Sequence, residues 1–264
     1  MFNLQSFTED CLSIREQSPL VHNITNYVAM NIAANALLAI GASPLMSFCE
    51  EEMDEIAAIS SAIVINIGCL DRNEIAGMRA AAAAAHRLGR PWILDPVGAG
   101  ASTLRTRTCM ELIREFKPAI IRGNASEIMC LAGEEIKSRG VDSSTSSSSA
   151  IEAAKSLALS TGAVVSVSGE TDYITDGKRV GSIANGSPMM PKVTALGCTA
   201  SAITGAFAAV DGDFFNAALN AMALMGVAGE AAAKDCPGTG TLALRFIDQL
   251  STITPAEAAG LVRQ

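Results

Sequence analysis

AIVINIGCLDRNEIAGMRAAAAAAHRLGRPWILD, residues 62–95, contains the unit that decides the fold. Ala62 to Ile67 is a short apolar run rich in β-branched residues, the composition of a strand buried on both faces. Asn73 to Leu88 predicts a helix, in which the alanine run from Ala80 to Ala85 gives very strong helical propensity. A second short strand follows from Trp92 to Asp95. Strand, helix and strand in succession are the mark of a parallel sheet covered by helices.

The same alternation extends in both directions. Upstream, Asn26 can cap a helix from Tyr27 to Ile40 that Gly41 stops, followed by a strand from Pro44 to Phe48 and a helix from Glu51 to Ser60. Downstream come a helix from Leu104 to Phe116, a strand from Ala119 to Arg122 and a helix from Ala125 to Leu131. Asn124 and Glu127 have the spacing of a capping box at the start of that last helix. Gly140 to Ser149 is a serine-rich loop expected to be exposed and mobile. A helix from Ala150 to Ser160 leads to a strand from Ala163 to Val167. Asp176-Gly177 then supplies the turn of a hairpin pairing Tyr173–Thr175 with Arg179–Ile183. Beyond Cys198 the chain reads as helical, with further helices at Asp213–Lys234, Thr239–Leu250 and Pro255–Val262. The expected fold is α/β, a mainly parallel central sheet flanked by helices on both faces. A single domain over residues 1–264 is expected, since nothing resembles a linker.

Composition narrows the function. The 264 residues are 49% hydrophobic with a net charge of -8, and no Lys/Arg cluster interleaves with aromatics, which argues against a nucleic-acid surface. Seven cysteines without a CxxC pair, and only His22 and His86 as imidazoles, argue against zinc or a disulfide framework. Met1 to Glu16 carries Glu9, Asp10 and Arg15 and lacks a secretory pattern, so a reducing cytoplasm is expected. The uncharged stretches Ala195–Val210 and Phe214–Gly229 fall short of a membrane span and fit helices packed inside a core.

In an open α/β sheet, ligands bind beyond the carboxyl ends of the strands. Asp95 and Glu127 would then face one crevice, as a hard cation such as Mg²⁺ held through waters and phosphates requires. A turn before Pro96 and a helix cap explain the same two residues taken singly. Arg122 ends a strand before Gly123, where its guanidinium can grip a phosphate bidentately or form a surface ion pair. Ser168 ends another strand. The segment Lys192–Ser201 places Gly197-Cys198 at a helix start, whose unpaired N–H groups suit a transferring phosphoryl group; a structural cysteine is the simpler alternative. Asn26 and Met46 can orient and wall a small-molecule pocket, although turn chemistry alone also explains Asn26.

These residues sit in a series of motifs: SPLVHNITN at 18–26, GASPLM at 41–46, INIG at 65–68, LDPVGAG at 94–100, IRGNASEI at 121–128, SGE at 168–170 and KVTALGC at 192–198. In this order the chain resembles the hydroxyethylthiazole kinases of the ribokinase-like superfamily. The resemblance implies transfer of the ATP γ-phosphate to the alcohol of 4-methyl-5-(2-hydroxyethyl)thiazole, with Mg²⁺, for thiamine salvage. It also implies a homotrimer with active sites between subunits and no separate lid domain. Arg122, Ser168 and Asn124 fall at ATP positions, Asp95 and Glu127 at the acidic metal and phosphate positions, and Asn26, Met46 and Ala195 in the thiazole pocket. Gly197 and Cys198 take the catalytic positions.

Many members of that family have Thr-Gly-Ala-Gly-Cys or Thr-Gly-Thr-Gly-Cys where this chain has Thr194-Ala195-Leu196-Gly197-Cys198, so Leu196 must point away from the phosphate. The superfamily usually has an aspartate base where Cys198 stands. A thiol is largely protonated at neutral pH unless the helix N-terminus lowers its pKa, and loose phosphoryl transfer tolerates a weak base. Two other functions fit the same fold: a kinase for another small alcohol such as hydroxymethylpyrimidine, and a non-catalytic thiazole or thiamine sensor.

Overall fold

The computed structural model describes residues 2–133 and 150–264; the expected Gly140–Ser149 loop lies outside them. The first elements are α1 (Leu4–Gln17), β1 (Leu20–Ile24), α2 (Met30–Ile40), β2 (Ser43–Met46), α3 (Met53–Ile59) and β3 (Ala62–Asn66). There follow α4 (Arg72–Leu88), β4 (Trp92–Asp95), α5 (Thr103–Phe116), β5 (Ile120–Asn124), α6 (Ala125–Leu131), α7 (Ile151–Thr161) and β6 (Val164–Ser168). The hairpin is β7 (Asp172–Thr175) and β8 (Val180–Ile183), and the chain finishes with α8 (Leu196–Val210), α9 (Phe214–Ala233), α10 (Thr239–Thr252) and α11 (Pro255–Leu261).

The strands form one sheet in the order β2-β1-β3-β4-β5-β6-β7-β8. It is parallel from β2 to β6 and antiparallel across β6, β7 and β8. Side chains alternate across it: Val64, Ile93, Ile120 and Val164 pack with α1, α2 and α8–α11, while Ile63, Ile65, Leu94, Ile121 and Val165 pack with α3–α7. Being covered twice explains why the strands read as unbroken apolar runs. Helix α8 lies very close to the sheet, since a Cβ on Gly205 would stand 2.7 Å from Val64 Cγ2 and 3.0 Å from Val21 Cγ1. That contact anchors the helix whose first turn enters the site.

Several boundaries differ from the sequence reading. Helix α2 begins at Met30, not Tyr27, because the Ala29 N–H bonds to both the carbonyl (2.9 Å) and Oδ1 (3.1 Å) of Asn26, closing a turn ahead of the helix. The segment before it is a strand paired on both sides, β1, whose polar His22 and Asn23 disguised it. Helix α1 was not anticipated; Asn3 caps it. The helix expected at 51–60 starts as a 3-10 turn at Glu50–Glu52. Strand β5 runs on to Asn124, since Gly123 and Asn124 pair with Val167 and Ser168. Among the described residues no helix is long and apolar enough to cross a membrane.

Candidate active site

Site residues gather where β1, β3, β4, β5 and β6 end and α8 begins. The two-residue period of the strands puts Asn66, Asp95 and Arg122 on the same side as Val64, Ile93 and Ile120, facing α8. Asn66 and Asp95 are direct register partners, as are Arg122 and Ser166.

The polar contacts form one chain. Asn26 Nδ2 donates to Cys198 Sγ (3.2 Å) and to Asn66 Oδ1 (3.2 Å). Asn66 Nδ2 donates to Asp95 Oδ2 (2.6 Å), and Ser201 Oγ, three residues past Cys198, donates to the same oxygen at 2.8 Å. Burial pushes the Asp95 carboxyl up, against Arg122 and its two hydrogen bonds, which pull it down.

Arg122 is nearly buried, and its Nη1 donates to the Gly197 carbonyl at 2.8 Å. A Cβ on Gly197 would come within 3.2 Å of that nitrogen, so glycine allows the approach. The Arg122 Nε is buried without a partner, a costly state for a charged donor unless a ligand oxygen completes it. Ala195, the residue before α8, has φ +65°, in the left-handed region, while Leu196 is buried in the core below.

Asn124 and Glu127 form the predicted capping box. Glu127 Oε2 accepts the Asn124 N–H and Oε1 accepts the Gly98 N–H, both at 2.9 Å, which draws the turn after β4 toward α6. Burial, then the nearby charge of Asp95, raises Glu127 to about 7. Ser168 is the register partner of Asn124, and its hydroxyl makes only a long 3.4 Å bond to the Gly123 carbonyl. Met46 ends β2 beside Asn23 of β1 and is half-buried. Arg105 bonds the carbonyls of Ile67, Val97 and Gly68 at 2.8, 2.9 and 3.1 Å, holding the loops after β3 and β4 together.

The Cys198 thiol is raised to about 11, mainly by burial and then by Asp95, which outweigh the lowering effects of Asn26, Asn66 and Arg122. The helix N-terminus therefore does not make it a thiolate at neutral pH. Among the described residues no three acidic, His or Cys side chains group as metal ligands. Two buried carboxyls, each pushed upward, do suit a cation bound mostly through waters and phosphates, because its charge offsets their burial. The Mg²⁺ expectation fits on that observation.

Sequence reasoning missed Asn66, Ser201 and Arg105. Asn66 ends an apolar run, so the rule that picked out Asp95 applies to it equally; Ser201 shares a helical face with Cys198. Two open clefts of about 560 Å³, one lined by α5 residues such as Arg107 and Arg114 and one beside α7, lack these polar groups.

Helices on both faces of one mainly parallel sheet make a three-layer α/β/α fold, that of the ribokinase-like proteins. A solved ribokinase-like protein from Enterococcus faecalis shares this fold with TM-score 0.64 at 14% identity, covering 90% of this chain and 87% of its own. Residues 12–256 match the hydroxyethylthiazole kinase family, and the chain belongs to it. It is 50% identical to the hydroxyethylthiazole kinase of Brachyspira hyodysenteriae over 95% of both chains. A solved structure of hydroxyethylthiazole kinase from Pyrococcus horikoshii matches with TM-score 0.91 and 37% identity over 98% of both chains.

Proposed function

We propose that this protein phosphorylates the alcohol of 4-methyl-5-(2-hydroxyethyl)thiazole with ATP, for thiamine salvage, and that the whole chain acts as one kinase domain. The observation that carries the reading is the buried, unpartnered Arg122 Nε on a guanidinium tied to the first turn of α8 beside Cys198. It supports a site for an anion on which charge develops.

In this reading the backbone N–H groups from Gly197 to Thr199 and Arg122 share the charge of the transferring phosphoryl group. Ser168 and Asn124 hold ATP at the ends of β6 and β5. Asp95 and Glu127 would hold Mg²⁺, which supplies positive charge to the ATP phosphates. Asn26, Met46 and Ala195 bound the thiazole. The substrate oxygen bonds to the γ-phosphorus as the bond to ADP breaks, and the hydroxyl proton leaves late, to a phosphoryl oxygen or solvent. A thiol raised to about 11 keeps its own proton at neutral pH, which supports Cys198 as a group that aligns the alcohol over one that deprotonates it.

Tyr27 and Val28 are 61% and 68% exposed immediately after Asn26, a surface that a neighbouring subunit of the proposed homotrimer would cover at the thiazole end. We place the enzyme in the cytoplasm. ADP release should depend on both the thiazole and Mg²⁺; release that ignores the thiazole, or prefers hydroxymethylpyrimidine, would reject the assignment. A fully active monomer would reject the shared site.

A further inference from the structure

Asn66 is 1% exposed, and its amide can face only one way. The Gly68 backbone N–H, which can only donate, reaches Oδ1 at 2.9 Å, so Nδ2 must face Asp95 Oδ2 at 2.6 Å. Asn26 is fixed by the same logic. The Ala29 N–H occupies its Oδ1 at 3.1 Å, so its Nδ2 carries both hydrogens and spans Asn66 Oδ1 and Cys198 Sγ, each at 3.2 Å. Flipping either amide would set N–H against N–H. The bonds therefore run through Asn66 from the sulfur of α8 to the carboxylate of β4.

We infer that Asn66 is a positioning residue for phosphoryl transfer, holding Asn26 against Cys198 at one end and one oxygen of Asp95 at the other. The inference rests on the kinase reading above, in which those two ends serve the alcohol and the phosphates. Without the Asn66 oxygen, Asn26 keeps only the thiol as a partner for its two hydrogens and can turn away from it. Without the Asn66 amide nitrogen, Asp95 Oδ2 keeps only Ser201. The two ends are then free to shift relative to each other, and transfer is sensitive to such misplacement.

The test is a double-mutant cycle of Asn26→Ala and Asn66→Leu. It reads the rate at which iodoacetamide alkylates Cys198 at fixed pH, followed on the Cys198 peptide by mass spectrometry. Asn66→Leu alone should change that rate about threefold or more, and its effect should shrink in the Asn26→Ala background, because the part carried through Asn26 is lost there while the part Asn66 exerts directly and through Asp95 remains. On the same proteins kcat should fall about ten- to hundred-fold, as expected for lost hydrogen bonds to a charged group, while KM for ATP moves less than about threefold. Additive effects on alkylation, or a variant that melts earlier with kcat unchanged, would overturn the inference. If Asn66→Leu does not fold, Asn66→Ser enters the same cycle with the same requirement. Should the wild type release no ADP with the thiazole, the kinase reading fails, and the alkylation cycle still decides whether Asn66 positions Asn26.

Discussion

Ala195 offers the sharpest test of how the first turn of α8 is built. Its φ of +65° places an alanine where a glycine costs nothing, and its methyl group is the source of the strain. An L-residue held there costs about 1–2 kcal/mol. Replacing it with glycine removes that cost but frees the unfolded chain, which takes back about 0.4–1 kcal/mol. The balance favours Ala195→Gly by about 0.5–1 kcal/mol, or about 1–4 °C in Tm for a chain of this size. Urea unfolding should show a higher midpoint with an unchanged slope, at fixed protein concentration so that association does not intrude. Ala195→Val should move the other way, because branching at Cβ worsens the same clash. A midpoint that falls with glycine, or a valine variant as stable as wild type, would mean that the turn carries no strain and that the reasoning is wrong.

Cys198→Ala should lower kcat about tenfold while leaving KM for ATP nearly unchanged, as steady-state kinetics would show, since in the proposed mechanism it removes a group that aligns only the acceptor. Cys198→Asp should keep its turnover when Mg²⁺ is saturating and lose it faster than wild type as Mg²⁺ is withdrawn. Glu127 titrates near 7 in the folded chain against 4.5 when unfolded, so the folded state holds its proton more tightly between those values. The ligand-free protein should therefore lose about 3 kcal/mol of stability from this group as pH rises from about 4.5 to about 7. Urea midpoints across that range should show Glu127→Gln gaining on wild type as pH rises; a constant difference would contradict the shift. Gly77→Ala would set a Cβ 2.0 Å from the Phe48 carbonyl, so the loop after β2 must move. We expect a loss of about 1–3 kcal/mol in thermal or urea melts, with a higher KM for the thiazole.

The parallel sheet was legible where strands such as β3 and β4 are covered on both faces and have no polar alternation to blur their runs; both lie almost where the sequence put them. Strand β1 was hidden by its own chemistry. His22 is fully buried, with Nε2 on the Ser47 carbonyl at 2.9 Å, and Asn23 bonds the Val21 carbonyl, so two polar residues sit inside a central strand. Helical propensity also says nothing about where a turn ends, which is why Asn26 was taken for a helix cap. The candidate site was legible as a set of positions after strands, the rule that picked out Asp95, Arg122, Glu127 and Ser168. What joins them was not, because Asn66 and Ser201 become partners of Asp95 only through strand register and the tight seating of α8 on Gly205.

The thiol at Cys198 can be understood from the charges around it. Asp95 and Glu127 lie close enough for one to raise the other, and Arg122 is the cation that opposes both. A carboxylate at position 198 would be a third anion in the same buried space, next to the Asn26–Asn66–Asp95 chain, and its desolvation would add to that repulsion before any cation arrives. A thiol holding its proton adds no charge and still accepts the Asn26 hydrogen bond, which in the proposed mechanism leaves Arg122 and the α8 N-terminus to meet a phosphate. What the site gives up is a base, and loose phosphoryl transfer needs one least, because the alcohol oxygen gains little positive charge until the phosphorus has nearly left ADP. On the proposed reading the buried acids, Arg122 and the neutral sulfur are thus one electrostatic arrangement, and changing any one of them would alter how strongly the other groups depend on a bound cation.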